Sequence, residues 1–174
     1  MRKYNLVEKK FFPELNKELW QIIAVSNFKG VEIGDRGGWI ESENNLSQYG
    51  NAWVRDNSHV YAGALVYGVA CVSDNARVCG NTHVYGDAHI YDDAWVRGDA
   101  DIILLGKLGN NRRLITCFPD KNRKMKISCG CFLGGIEDFE KSVRVKYGND
   151  PNTDYMLILP LLRKKELEWN NMSN

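Results

Sequence analysis

Between Gly50 and Ile103 the alternation of apolar and polar positions follows a period of six. The segment divides without insertion into GNAWVR, DNSHVY, AGALVY, GVACVS, DNARVC, GNTHVY, GDAHIY, DDAWVR and GDADII, and the fifth residue of every hexad is Val or Ile. The third is always Ala, Ser or Thr, and the first two are mostly Gly, Asp or Asn, which turn a chain at low steric cost. A β-branched residue between two outward neighbours is what a very short strand with one buried side chain requires. Each hexad therefore predicts one strand and one corner. Stacked hexads predict a solenoid in which each backbone group is paired with the coil above or below, about 4.8 Å away.

The period resembles the hexapeptide repeat of left-handed parallel β-helices, in which three hexads make one triangular turn. Counting in that step sets the columns. The first face carries Trp53, Cys71 and His89 beside Arg55, Ser73 and Tyr91; the second carries His59, Arg77 and Trp95 beside Tyr61, Cys79 and Arg97. The third carries Leu65, His83 and Asp101 beside Tyr67, Tyr85 and Ile103. Faces this rich in large apolar side chains favour burial against copies of the chain. Leu65, Tyr67, Tyr85 and Ile103 are the expected threefold contact of a homotrimer. His59, Tyr61, Arg77, Trp95 and Arg97 are the expected partner-binding surface, with Arg77 a cation in an aromatic column.

Three coils make a stub only ~14 Å tall with two open ends, so the flanks are expected to be caps. Residues 1–49 read as strands and turns (KYNL, LWQIIAV, VEIGDRGGWIE), with Trp39 and Ile40 as a lid; residues 50–103 are the coil; residues 104–174 are an α+β cap. In that cap RLITCF and MKISCGCF predict a hairpin across PDKNRK. Ile136, Phe139, Val143 and Tyr147 fall at helical spacing before Gly148, and a second helix from Asp154 is expected to be interrupted at Pro160. The expected class is an all-β solenoid, a short left-handed parallel β-helix with a small α+β cap.

Charge changes the picture only locally. The net charge is +1, 26% of residues are charged and 44% hydrophobic, an ordinary globular composition that gives no global reason to expect nucleic acid or an anionic membrane. Yet the coil holds three basic residues against seven acidic, and residues 104–174 hold thirteen against eight. Arg112, Arg113, Lys121, Arg123, Lys124 and Lys126 gather on the expected hairpin beside Phe118, a cluster able to hold phosphates and stack a base. Five cysteines without framework spacing predict free thiols, and no apolar run suits a signal peptide or membrane span, so a cytoplasmic protein is expected.

The runs QIIAVSNF and GDRGGWIESENNLSQYGNAWV, the following VYG-type hexads and the tail ISCGCFLGGIEDFEKSVRVKYGND resemble a family of hexapeptide-repeat proteins common in bacteriophage and prophage genomes, often called transferase-like by fold. The resemblance spans nearly the whole chain and implies a trimeric left-handed β-helix of phage or prophage origin, without catalytic residues to carry over. From it follows an expected role as a non-enzymatic viral protein in the host cytoplasm, inhibiting a bacterial defence effector by direct contact or by sequestering its nucleotide signal. The alternative is a hexapeptide-repeat acyltransferase using acyl-coenzyme A. For that chemistry His83 with Asp101 in its column is the expected base and orienter, because general-base work needs a near-neutral imidazole and a partner that aims it. No cofactor is expected, and no metal: Cys71 with His89 and the Cys129-x-Cys131 pair fall short of a four-ligand zinc site. Gly134 and Gly135 precede a helix without a phosphate-loop lysine or a GxGxxG motif.

Overall fold

A computed structural model describes residues 2–109, 112–151 and 153–172, with the side chains of Lys107 and Arg113 outside the described part. The chain opens with an antiparallel hairpin, β1 (Tyr4–Phe12) and β2 (Lys17–Ala24), followed by β3 (Arg36–Ile40). Eight two-residue rungs follow: β4 (Trp53–Val54), β5 (His59–Val60), β6 (Leu65–Val66), β7 (Cys71–Val72), β8 (Arg77–Val78), β9 (His83–Val84), β10 (His89–Ile90) and β11 (Trp95–Val96). Each pairs in parallel with the rung three hexads on, as β4-β7-β10 on the first face, β5-β8-β11 on the second and β6-β9 on the third. The result is a short parallel β-helix of about three turns with an α+β cap.

The fifth-position side chains of the first eight hexads are fully buried and stack into one core. The first position of the same eight hexads has positive φ: Gly50, Asp56, Ala62, Gly68, Asp74, Gly80, Gly86 and Asp92, at 54° to 74°. These are the corners, and the left-handed conformation explains why Gly and Asp dominate them. Gly80 combines that φ with a close approach, since a Cβ there would collide with the carbonyl of Arg97 in the coil above. Gly80→Ala is expected to destabilise the protein by at least ~1–2 kcal/mol, read as a lower urea midpoint.

The coil begins earlier and ends sooner than the hexads imply. Trp39 and Ile40 of β3 pair in parallel with His59 and Val60, and Leu46 bridges Val66, so these residues form part of a preceding turn rather than a lid over the core. The β1–β2 hairpin extends the second face below them, giving a sheet of order β1-β2-β3-β5-β8-β11. At the other end Gly98 is extended, Asp99–Asp101 form a 3-10 turn, and Ile103 starts the cap sheet instead of a ninth rung.

The cap sheet is four-stranded and antiparallel: β12 (Ile103–Leu108), β13 (Arg113–Pro119), β14 (Met125–Cys129) and β15 (Phe132–Gly135). Two helices follow, α1 (Ile136–Tyr147) and α2 (Asp154–Asn171). Thr153 caps α2, and the helix runs through Pro160, which lies on its exposed side where water can satisfy the carbonyl that proline leaves unpaired. Ile115, Cys117, Met125 and Ile127 face the helices and meet Phe139, Leu159, Leu162 and Trp169 in a second core. Phe118 points the other way, closing the top of the coil core.

Candidate functional site

Both caps overlap the first face of the coil and leave a gap between them. At the bottom Trp53 is buried under Tyr4 and Phe28, with ring centroids 6.2 and 5.3 Å away. At the top Tyr91 is buried against Phe118 at 5.2 Å and its hydroxyl donates to the carbonyl of Ile127 at 3.0 Å. Between them stand Arg55, Cys71 and His89, half-buried, and Ser73, buried.

In this gap the coil geometry builds a relay. Asp74 sits at a corner, where its backbone N–H donates to Asp56 Oδ2 at 3.2 Å and its own Oδ2 accepts the Asp92 N–H at 2.9 Å. The Ser73 hydroxyl donates to that same Oδ2 at 3.1 Å and lies 3.0 Å from His89 Nε2. Serine has one proton; given to Asp74, it leaves His89 Nε2 as the donor to Ser73 and puts the imidazole lone pair on Nδ1. Burial pushes the His89 pKa below the usual imidazole value, the Arg55 charge adds to that, and Asp74 opposes it. His89 is therefore a neutral base at pH 7 whose protonated form has a carboxylate within reach through one hydroxyl. Cys71, paired with His89 in the neighbouring coil, is a thiol pushed upward by burial, so it is no ready nucleophile.

The column count puts Ser73 and His89 in adjacent files of the first face, but it does not show the diagonal between them, a separation of 16 in sequence, as a contact. The dyad expected from the sequence does not form. His83 is exposed and packs edge-on to Tyr67 at 6.2 Å, while Asp101 is buried and holds Arg123. Asp101 lies in the 3-10 turn that ends the coil, so it never stacks over His83.

The expected partner surface is partly covered. His59 is 7% exposed beneath Phe12, with centroids 4.6 Å apart, and neither ring nitrogen has a hydrogen-bond partner. Arg77 meets Glu14 at 3.6 Å, so the tip of the first hairpin spans this face. Tyr61 is half-buried, whereas Trp95 and Arg97 remain exposed and pair as cation and ring at 5.6 Å. Burial, with the charges of Arg77 and Lys10 outweighing that of Glu14, lowers the His59 pKa to about 4. Its protonation favours the unfolded chain, so the stability it contributes is complete above about pH 6.5 and falls away down to about pH 4. His59→Leu should flatten that slope, on the order of 1–3 kcal/mol, in urea midpoints measured between pH 7 and 4.

The basic hairpin is also spent internally. Lys121 pairs with Asp93 at 2.6 Å, Lys126 with Asp92 at 2.8 Å, and Arg123 with Asp101 at 2.5 Å. The positive balance of the cap and the negative balance of the coil meet at this seam. Lys124 is exposed in the β13–β14 turn and Arg112 in the β12–β13 turn at the other end of β13, and the Arg113 side chain lies outside the described residues. On the third face Tyr67 stacks on Tyr85 at 5.4 Å next to half-buried Leu65, but Ile103 has left for the cap sheet, where it pairs with Cys117. No group of three or more potential metal ligands occurs among the described residues, and no helix there is long and apolar enough to cross a membrane.

No protein-family model matches the chain. The chain is similar to an Escherichia coli (strain K12) protein named "Uncharacterized acetyltransferase YdcK", with 40% identity over 74 residues, covering 38% of this chain and 23% of that protein. The chain thus spans less than a quarter of the length of this relative. The likeness overturns the expectation of a non-catalytic inhibitor of a host defence effector, because it points to the acyltransferase alternative, and it gives no support to a phage origin.

Proposed function

We propose that the chain is an acyltransferase of the hexapeptide-repeat type, moving an acyl group from a coenzyme A thioester to an amine or hydroxyl acceptor. The observation that carries this reading is the Asp74–Ser73–His89 relay on the half-buried stretch of the coil between the two caps. His89 Nδ1 takes the acceptor's proton as its nitrogen or oxygen attacks the thioester carbonyl. The C–S bond then breaks and the imidazolium returns the proton to the departing thiolate. Ser73 and Asp74 stabilise the imidazolium between these steps, and Arg55 supplies positive charge on the same face for the oxyanion or for phosphate groups of the donor. The partial likeness to a protein named acetyltransferase supports the same chemistry.

The test is acetyl-coenzyme A binding by calorimetry, together with coenzyme A release in the presence of a panel of small amines and alcohols. Saturable binding with acceptor-dependent release is expected. Absence of both at millimolar donor overturns the proposal.

The third face is the surface proposed to meet further copies of the chain. Tyr85 is 43% exposed there, on a rigid coil that loses no backbone freedom when it packs. Tyr85→Asp is expected to shift the protein from trimer to monomer in sedimentation equilibrium, because a carboxylate in a three-way apolar contact would stand against its own copies.

A further inference from the structure

The cap holds a cavity of about 360 Å³ that plays no part in the relay. It lies between the β14–β15 turn and the helices, and its size is at the lower end of the range for small-ligand sites. Helix α1 supplies one wall from Phe139, Val143, Lys146 and Tyr147, residues whose spacing puts them on one face of the helix. Phe132 from β15 and Tyr155 from α2 complete it.

The rings form a continuous lining. Phe132 meets Phe139 edge-on at 5.2 Å, Phe139 meets Tyr155 edge-on at 6.0 Å, and Tyr155 stacks on Tyr147 at 5.4 Å. The Tyr155 hydroxyl is occupied by the carbonyl of Leu108 at 3.1 Å, so its ring is fixed. The polar groups of the α1 wall are the Ser142 and Tyr147 hydroxyls and the Lys146 ammonium, the last 5.4 Å from the Tyr147 centroid. Among the described residues no carboxylate lines the cavity. Aromatic walls alone would suit a cation, but an ammonium among them repels one. The lining instead matches a flat apolar body that ends in a single negative charge.

We propose that this cavity is a binding site for a small aromatic carboxylate, its ring against Phe132, Phe139 and Tyr147 and its carboxylate on Lys146 and Ser142. The site is independent of the acyl-transfer reading.

The probes are 1-naphthoate and its neutral counterpart 1-naphthalenemethanol, titrated into the intact protein by calorimetry. Saturable naphthoate binding is expected. Lys146→Met should weaken it about tenfold while leaving the alcohol within about twofold, since only the charged ligand loses a charge-assisted partner. Ser142→Trp, at an exposed helix position, should block both ligands by filling the mouth. Bound naphthoate should also slow alkylation of Cys131, an exposed thiol on the rim, followed by mass spectrometry. Three results would overturn the proposal: no saturable binding at millimolar naphthoate, equal losses for acid and alcohol in Lys146→Met, or displacement of naphthoate by acetyl-coenzyme A, which would assign the cavity to the acyl donor.

Discussion

Arg123→Met is expected to lower the stability of the protein by about 3–5 kcal/mol, measured as a fall in the guanidinium midpoint. The two partners are almost completely enclosed: the Arg123 side chain is 6% exposed and that of Asp101 7%. The guanidinium donates to both carboxylate oxygens, at 2.5 and 3.1 Å, and its Nε donates to the Trp169 carbonyl at 3.4 Å. Asp101 also accepts the backbone N–H of Arg97 at 2.9 Å, and the Trp169 indole donates to the Ala100 carbonyl at 2.9 Å. One side chain thus ties the end of the coil, the β13–β14 turn and the last helix. Removing it leaves a buried carboxylate whose remaining cation is the exposed Arg97, with Nε 3.6 Å from Oδ2. The double variant Asp101→Leu/Arg123→Met should recover much of the loss, because most of the single-variant cost is the orphaned charge rather than the value of the pair. Burial alone would push the Asp101 pKa up, but hydrogen bonds from Arg123 and the Arg97 N–H, with the charges of both arginines, hold it below the usual carboxylate range. The pair therefore contributes fully above the ordinary carboxylate pKa of about 3.9 and is lost as pH falls through the lower folded value. A shallower acid limb in Arg123→Met would show this directly.

His89→Asn is expected to lower kcat/KM for acetyl transfer by about 10²–10⁴-fold with little change in donor binding, since it removes proton transfer and leaves the surface. The wild-type rate should rise with pH through a midpoint below the ordinary histidine value, following the direction in which burial moves the ring. Ser73→Ala should reduce the rate less and move that midpoint further down, because the hydroxyl carries the influence of Asp74 to the imidazole. A structural role for Ser73 alone would leave the midpoint in place. Loss of activity in His83→Asn with His89→Asn unaffected would assign the base to His83.

The coil was legible because its signal is local. A buried Val or Ile and a left-handed corner are both imposed within a single hexad, and eight hexads obey both. Where distant partners decide, the repeat misleads. The ninth hexad has the right letters, yet Asp101 is claimed by an arginine 22 residues later and the chain leaves the coil. The preceding turn was hidden for the opposite reason: Ile40 and Leu46 keep the hexad step, but two extra residues before Val54 break the frame. His59 and Arg123 read as surface residues in the sequence because position and charge give the outward tendency of a side chain and not what folds over it. The opposite charge balances of coil and cap carry the docking seam in the sequence. The Asp74–Ser73–His89 relay is less legible because its contact runs diagonally between columns, 16 residues apart, instead of along one.

The way Asp92 and Asp93 meet Lys126 and Lys121 fixes the angular phase between the two ends of the molecule. Because pairing recurs every third hexad, an added or deleted block of three hexads preserves the orientation of every side. A single hexad would rotate the upper end by a third of a revolution and carry the acidic corners away from their lysines. Growth of this architecture is therefore quantised in whole revolutions, and the small charged seam acts as the gauge that enforces it.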